Sequence, residues 1–305
     1  MMNWNTPRYL WPRKLRLLLS RDDFRRHPFR SVVRRVVWRM RWSLYPERLW
    51  KVRASDGFPL FTKCWGAGAL IYYQGASEPD TAGFIRHFLK PGMVFADVGA
   101  NLGEYTLLAA HVLGTSGRVH AFEPNPNVFE ILRKNIELNH CGNVTACPEA
   151  VWERETVVGF ELTPNPGLSA VQPEKQGKES ARTITVRTVT LDNYFADATK
   201  PNLIKVDVEG AELQVLNGAT SLLALPPLHA PVVIFEYGPC NTQRFRYAAD
   251  STIRFLRAHG YVVYGWHRGA PVCLEGPPVL PGMDAVCNLV ATKRPFATSP
   301  KPRDL

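Results

Sequence analysis

The chain has 305 residues, 45% apolar and 21% charged, which gives enough apolar material for a full core and excludes a disordered polypeptide. No apolar run approaches the roughly 18 residues needed to span a bilayer, and residues 17–19 are too short and too closely flanked by charge for a signal-peptide core, so a cytoplasmic protein is expected. The net charge of +10 is uneven: residues 1–53 hold 15 Lys or Arg against three acids, whereas the remainder holds 22 against 24.

Residues 1–53 therefore read as a basic N-terminal extension with two helical stretches. Val32, Val33, Val36, Val37 and Met40 recur at three and four, making one apolar stripe, with Arg34, Arg35, Arg39 and Arg41 on the other faces. Trp4, Trp11, Trp38, Trp42 and Trp50 add amphipathic bulk. The pattern suits a helix lying on an anionic membrane surface. It also suits a helix packed on the following domain, and a basic segment attracts any polyanion, nucleic acid included. Residues 51–73 read as short strands, with Asp56-Gly57 turning a hairpin between Val52 and Leu60. Residues 74–79 read as a loop. A helix follows, capped by Asp80 or Thr81 and stopped by Pro91-Gly92.

Residues 93–97 form an apolar run without alternation, the mark of a strand buried on both faces. Gly99, Asn101 and Gly103 make a turn, residues 104–112 have helical spacing, and residues 118–122 form a second strand ending in Glu123. Strand, glycine-rich turn and helix make a nucleotide-binding unit, and an acid at the tip of the second strand can take both ribose hydroxyls. The dinucleotide pattern G-x-G-x-x-G is broken, because Asn101 and Glu104 stand where its second and third glycines belong. Asp97 would repel phosphate but suits a cation. S-adenosyl-L-methionine, with an ammonium, a sulfonium and a free ribose, fits these residues.

Beyond Glu123 the expected elements are a helix over 126–139, a strand over 144–147, and Glu149-Ala150-Val151 where an adenine would sit. Strands over 156–162 and 182–189 flank a long polar loop, 163–181, of functional or mobile character. A short helix follows Thr190, with Asp192 as its cap. A strand over 203–208 runs into Glu209-Gly210-Ala211-Glu212, with Leu213, Leu216 and Leu223 facing the sheet from the next helix. A strand over 231–235 ends in Glu236, and a helix over 247–259 and strands over 261–265 and 285–291 complete the chain before a mobile tail, 295–305. Alternating strands and helices imply a doubly wound α/β fold with a parallel sheet. Cys64, Cys141, Cys147, Cys240, Cys273 and Cys287 include no C-x-x-C pair and read as small core residues; no metal motif is present.

Four stretches resemble one family. Phe95-Ala96-Asp97-Val98-Gly99-Ala100-Asn101-Leu102-Gly103-Glu104-Tyr105-Thr106 is similar to the first motif of FkbM-type methyltransferases, and Phe122-Glu123-Pro124-Asn125-Pro126 to their second. Thr190-Leu191-Asp192 precedes Ile204-Lys205-Val206-Asp207-Val208-Glu209-Gly210-Ala211-Glu212, with Val215-Leu216-Asn217-Gly218-Ala219 after it. The resemblance covers roughly residues 70–292 and implies a class I S-adenosyl-L-methionine-dependent fold: a Rossmann-like, seven-stranded, mostly parallel sheet with an antiparallel last strand. It also implies methyl transfer to a hydroxyl of a sugar, glycolipid, polyketide or similar product. The expected organisation is an extension over 1–53, a methyltransferase domain over 54–294 and the tail.

Ligands of open α/β sheets bind beyond the carboxyl ends of the strands, which gathers Asp97, Glu123, Asp207, Glu209 and Glu236 along one rim. Asp97, Gly99 and Asn101, with Gly103 and Tyr105, are candidates for the methionine end of the cofactor, Glu123 and Pro124 for the ribose, and Glu149 and Ala150 for the adenine. Asp207 is expected at the methyl-transfer end. Glu209, or else Glu236, is the candidate base for the acceptor hydroxyl; Glu209 could instead cap the next helix, Glu236 could pair with Lys205 or an arginine, and His267 is a further candidate base. Competing readings are a nicotinamide oxidoreductase, disfavoured by the broken glycine pattern, a nucleic-acid methyltransferase, disfavoured because Asp207-Val208-Glu209-Gly210 is not an Asn/Asp-Pro-Pro-aromatic run, and a non-catalytic, membrane-associated cofactor binder.

Overall fold

The computed structural model describes residues 22–64, 66–163, 169–171, 183–267, 270–280 and 285–296. The chain falls into two compact units, residues 1–77 and 78–305.

In the first unit, α1 (Asp22–Arg26) leads into α2 (Pro28–Leu44), which opens on a proline whose missing N–H costs nothing there. Strands β1 (Trp50–Arg53) and β2 (Pro59–Thr62) form the expected hairpin with Val52 opposite Leu60, and Gly57 supplies a turn residue at φ +90°. Residues 67–73, expected to be strand, instead lie in α3 (Ala67–Gln74), closed by Gly75 in the left-handed conformation. Its run Ala69-Leu70-Ile71-Tyr72-Tyr73 has no polar alternation, and so short an apolar run does not distinguish a strand from a helix. Trp38 and Trp42 of α2 are buried, with Trp38 stacked 5.1 Å from the Tyr72 ring. Arg34 lies over Tyr72, Arg35 over Tyr73 and Arg41 over Trp50. Two of the expected surface tryptophans thus belong to this unit's core, while Val32, Val33, Val36 and Met40 are exposed. Among the described residues no helix is long and apolar enough to cross a membrane.

The second unit opens with α4 (Pro79–Phe88), whose N-cap position is Glu78; neither Asp80 nor Thr81 caps it, and Thr81 is buried. Then follow β3 (Val94–Val98), α5 (Glu104–Leu113), β4 (Arg118–Phe122), α6 (Pro126–Leu138) and β5 (Val144–Cys147). A side sheet of β6 (Ala150–Val151), β7 (Val157–Glu161), β8 (Ala170–Val171) and β9 (Thr183–Val189) is ordered β6-β9-β7-β8. Most of the expected long loop, residues 164–168 and 172–181, lies outside the described residues, as do residue 182 and residues 297–305 of the tail. Next come α7 (Leu191–Tyr194), β10 (Leu203–Val206), α8 (Glu212–Asn217), α9 (Thr220–Ala224), β11 (Val232–Tyr237), α10 (Pro239–Gln243), α11 (Ser251–Ala258), β12 (Val262–His267), β13 (Ala270–Cys273) and β14 (Cys287–Thr292).

The main sheet has the order β13-β12-β14-β11-β10-β3-β4-β5. Strands β5, β4, β3, β10 and β11 are parallel, and β14 runs antiparallel between β11 and β12. The seven expected strands are all present; β13 adds an eighth at the edge, hairpinned to β12. Every residue of β3 and β10 is buried, as strands covered on both faces require. Val94, Ala96, Val98, Ile204 and Val206 join Val215, Leu216 and Leu223 in one apolar cluster; Leu213 is only half-buried. Of the six cysteines expected in the core, Cys147 is buried, Cys64 is exposed and the rest are half-buried.

Asp192 does not cap its own helix. Thr190 caps α7 through Oγ1 and the Asn193 N–H, while Asp192 accepts from Ser221 N–H (2.8 Å) and Leu222 N–H (3.0 Å) in the first turn of α9. Asp192→Ala is therefore expected to lower stability by about 0.5–2 kcal/mol with no effect on cofactor affinity, as read by urea denaturation and calorimetry.

Candidate active site

Strand order reverses between β3 and β10, and the crevice beyond their carboxyl ends is where a doubly wound sheet binds ligand. The turn after β3 is tied across this point. Gly99 and Ala100 N–H both donate to the Phe122 carbonyl at the end of β4, at 3.0 and 2.9 Å. Gly99, Asn101 and Gly103 all have positive φ, at +82°, +50° and +88°. A Cβ on Gly99 would sit 1.9 Å from the Asp207 carbonyl oxygen, so this glycine is required by the close approach of the two strand ends.

Glu123 is buried at the tip of β4 and held at both oxygens: Asn101 N–H donates to Oε2 and Asn125 N–H to Oε1, each at 2.9 Å. Burial pushes its carboxyl up to about 7, with the two amide bonds pulling the other way. Each oxygen keeps a lone pair for a further donor. Asp97 is fully buried; Thr106 Oγ1 donates to its Oδ2 at 2.6 Å, and its Oδ1 has no hydrogen-bond partner. Asn101 Oδ1 is likewise buried without a partner. Unmet acceptors of this kind suit a ligand rich in N–H or O–H donors, such as an ammonium and a ribose. Helix α5 opens on a buried acid, Glu104, which a pyrophosphate at that helix end would have to face. The residues present thus fit S-adenosyl-L-methionine better than a dinucleotide.

Lys205 stands beside Asp97 in the β10–β3 register. Its ammonium is buried, donates to Asp207 Oδ2 at 2.7 Å and lies 4.7 Å from the centre of the Tyr105 ring. Burial alone would favour loss of its proton, but Asp207, Asp97 and Glu78 outweigh it and hold the pKa above the ordinary lysine value. Tyr105 donates to Glu78 Oε2 at 2.8 Å, and Asn288 of β14 donates to the same oxygen. Burial raises the Glu78 carboxyl, against the pull of Lys205.

Beyond β10, Glu209 sits at φ +55°, a conformation an L residue adopts at a cost of about 1–2 kcal/mol. Helix α8 has no side-chain cap, so Glu209 does not serve as one. Glu212 satisfies that turn, its Oε1 accepting from Val208 N–H (3.2 Å) and Gly210 N–H (3.1 Å). Asn241 of α10 spans two acids, with Nδ2 2.8 Å from Glu236 Oε2 and 3.4 Å from Glu209 Oε2. Burial, then the charges of Asp207 and Glu212, push the Glu209 carboxyl up to about 8, while Arg244 pulls it down. Burial and the charges of Asp207, Glu209 and Glu212 also raise Glu236 well above the ordinary range. Glu236 therefore pairs with Asn241, and Lys205 with Asp207.

The structure links Asp97, Gly99, Asn101, Tyr105, Glu123 and Asp207 through these contacts, and Glu209 with Glu236. Gly103 packs against Leu132, where a Cβ would come within 2.6 Å of Cδ1. Pro124 and Glu149 are half-buried; Ala150 is a buried residue of β6, clustered with Trp152 and Phe160. The side chain of His267 lies outside the described residues. Glu78 and Asn241 escape a reading of the sequence, since a buried acid at a loop end and an asparagine in a five-residue helix follow no periodic pattern.

The methyltransferase FkbM domain family matches residues 97–263. The hexuronic acid methyltransferase AglP of Haloferax volcanii is 34% identical over 132 residues, covering 43% of this chain and 51% of that one. Methyltransferase sdnD of Sordaria araneosa is 31% identical over 153 residues, covering 40% and 58%. The 31-O-demethyl-FK506 methyltransferase FkbM of Streptomyces tacrolimicus is 34% identical over 212 residues, covering 59% and 77%. The chain thus spans little more than half the length of AglP and of sdnD. The matched segment runs from Asp97 at the end of β3 to Val263 in β12 and takes in Glu123, Asp207, Glu209 and Glu236, and the chain belongs to the FkbM methyltransferase family.

Proposed function

We propose that this chain is an S-adenosyl-L-methionine-dependent O-methyltransferase acting on a hydroxyl of a sugar, glycolipid or secondary metabolite. The observation that carries the reading is the clamp of Glu123 by Asn101 and Asn125, which fixes both oxygens of a buried carboxyl beside the glycine turn. Bound S-adenosyl-L-methionine supplies an electrophilic methyl group on a sulfonium. Glu123 holds the ribose hydroxyls, Asp97 and Asn101 receive the donors of the methionine end, and Pro124, Glu149 and Ala150 lie toward the base. Asp207, fixed by Lys205, stands at the methyl-transfer end. Glu209 accepts the proton of the acceptor hydroxyl, and Asn241 positions it together with Glu236. The names of the relatives, one for a hexuronic acid and one for an O-demethylated metabolite, support an oxygen acceptor on a small molecule or glycan. The enzyme works in the cytoplasm, in peripheral contact with a membrane through residues 1–53, where a lipid-linked acceptor resides.

Glu123→Ala tests the cofactor assignment. Losing a buried charge-assisted hydrogen bond of roughly 1.5–3 kcal/mol should weaken S-adenosyl-L-methionine about tenfold to a hundredfold in calorimetry. Unchanged affinity in a folded variant, or tighter binding of NAD than of S-adenosyl-L-methionine by the wild type, rejects the reading.

A further inference from the structure

Helix α2 carries its apolar stripe outward. Phe29 is 83% exposed, Val36 50%, Met40 57% and Leu44 66%, and Val32 and Val33 are also exposed. The residues that hold the helix to its own unit, Ser31, Trp38 and Trp42, are buried on the opposite face. At 100° per residue the exposed stripe covers an arc of about 120°, and from Phe29 to Leu44 it runs about 22 Å along the helix. Arg30 borders it on one side and Arg39 on the other, and both are exposed. The helix holds five arginines and no acid.

The geometry points to this face as a bilayer-docking surface: α2 lies in the plane of an anionic membrane, with Phe29, Val33, Val36, Met40 and Leu44 entering the headgroup boundary and Arg30 and Arg39 meeting lipid phosphates. This deepens the peripheral location proposed for the enzyme. The charge pattern selects the occupant. A second copy packed stripe to stripe would bring the exposed Arg30 and Arg39 of each helix, four arginines in all, against one another with no acid on either helix, whereas an anionic surface neutralises them. The inward tryptophans fix the roll of the helix, so the stripe is presented without any rearrangement of the unit.

The test is flotation of the full chain with vesicles of phosphatidylcholine alone and of phosphatidylcholine mixed with phosphatidylglycerol, at low and high salt. Wild type should float with the anionic vesicles only, and less so at high salt. Val33→Glu with Val36→Glu should weaken this binding on the order of a hundredfold, because two apolar anchors are lost and two like charges face the lipid. Arg30→Gln with Arg39→Gln should weaken it about thirtyfold. Both variants should melt as wild type does, since the substituted side chains are exposed. No binding by wild type, equal binding to neutral vesicles, or equal binding by the glutamate variant overturns the proposal. A wild-type dimer that the glutamate variant splits, without vesicle binding, assigns the face to a second copy instead. A sharply lower melting temperature of that variant assigns it to the core. Calorimetry with S-adenosyl-L-methionine on the same preparations reports on the methyltransferase reading separately, because the stripe carries none of the residues assigned to the cofactor.

Discussion

Glu209→Gln is expected to lower methyl transfer by about 10²–10⁴-fold, the usual cost of losing a general base, while affinity for S-adenosyl-L-methionine holds. Glutamine keeps the size of the side chain and a hydrogen-bond acceptor for Asn241, so the loss would be of proton acceptance. Wild-type turnover should rise with pH through an inflection near 8. The Glu209 carboxyl is pushed up to about 8, and only its ionised form takes a proton from the acceptor, so activity is absent below that value and present above it. The variant should lack this inflection. Glu209→Gly offers a control: it removes the base and also the strain of a left-handed L residue, so it should be as inactive as the glutamine variant and no less stable than wild type. Measured rates per folded molecule close to wild type, with an unaltered pH profile, would remove Glu209 from the chemistry and leave Glu236 as the base.

Lys205→Met should cost about 3–5 kcal/mol of stability, because it leaves the buried acids around it without their counter-charge. Methionine matches the stem of lysine, so the shape of β10 is kept and the effect isolates the charge. Asp97 is fully buried beside it in the sheet, Asp207 loses its 2.7 Å partner, and Glu78 loses the cation that opposes its burial. The deprived carboxylates will hold protons in the folded state that they release in the unfolded one. The folded state then binds more protons than the unfolded state, so stability falls as pH rises, and the deficit should be larger at high pH than in mild acid. Denaturant titration at two pH values reads both effects. A variant about as stable as wild type at both would mean that the acids are neutral in the native protein and that Lys205 does not organise the rim.

The parts of this architecture that are legible in the sequence are those set by local pattern. An unbroken apolar run gave β3, and the strand-like stretches that end in Glu123 and Glu209 gave β4 and β10, each to within a residue or two; the rule that ligands lie beyond the carboxyl ends of parallel strands singled out the acids at their tips. The hairpin at Asp56-Gly57 is legible for a similar reason, since glycine there meets a turn that needs positive φ. What stayed hidden depends on long-range contact. Residues 67–73 have the composition of a strand but fold as a helix against α2. Asp192 looks like the cap of the helix it belongs to, yet reaches 29 and 30 positions along the chain to cap another. The competition between Glu209 and Glu212 for the same turn cannot be decided from spacing, because both lie within reach of its amides and only the left-handed backbone at Glu209 turns that side chain away. For α2, periodicity found the apolar stripe but not its direction, because tryptophans on the reverse face take the inward position.

The placement of β14 between β11 and β12 sets an order on biosynthesis. A chain leaving the ribosome makes β3, β4, β10 and β11 in time to assemble side by side, yet β12 cannot join them, since its neighbour in the sheet is made after it. Until residues 287–292 emerge, β11 and the β12–β13 hairpin present open edges, the kind of surface on which nascent chains misassociate. The same strand delivers Asn288 to Glu78, 210 positions earlier, and so secures the carboxylate that Tyr105 leans on. Translation therefore closes the sheet and secures the rim of the candidate site in one late step.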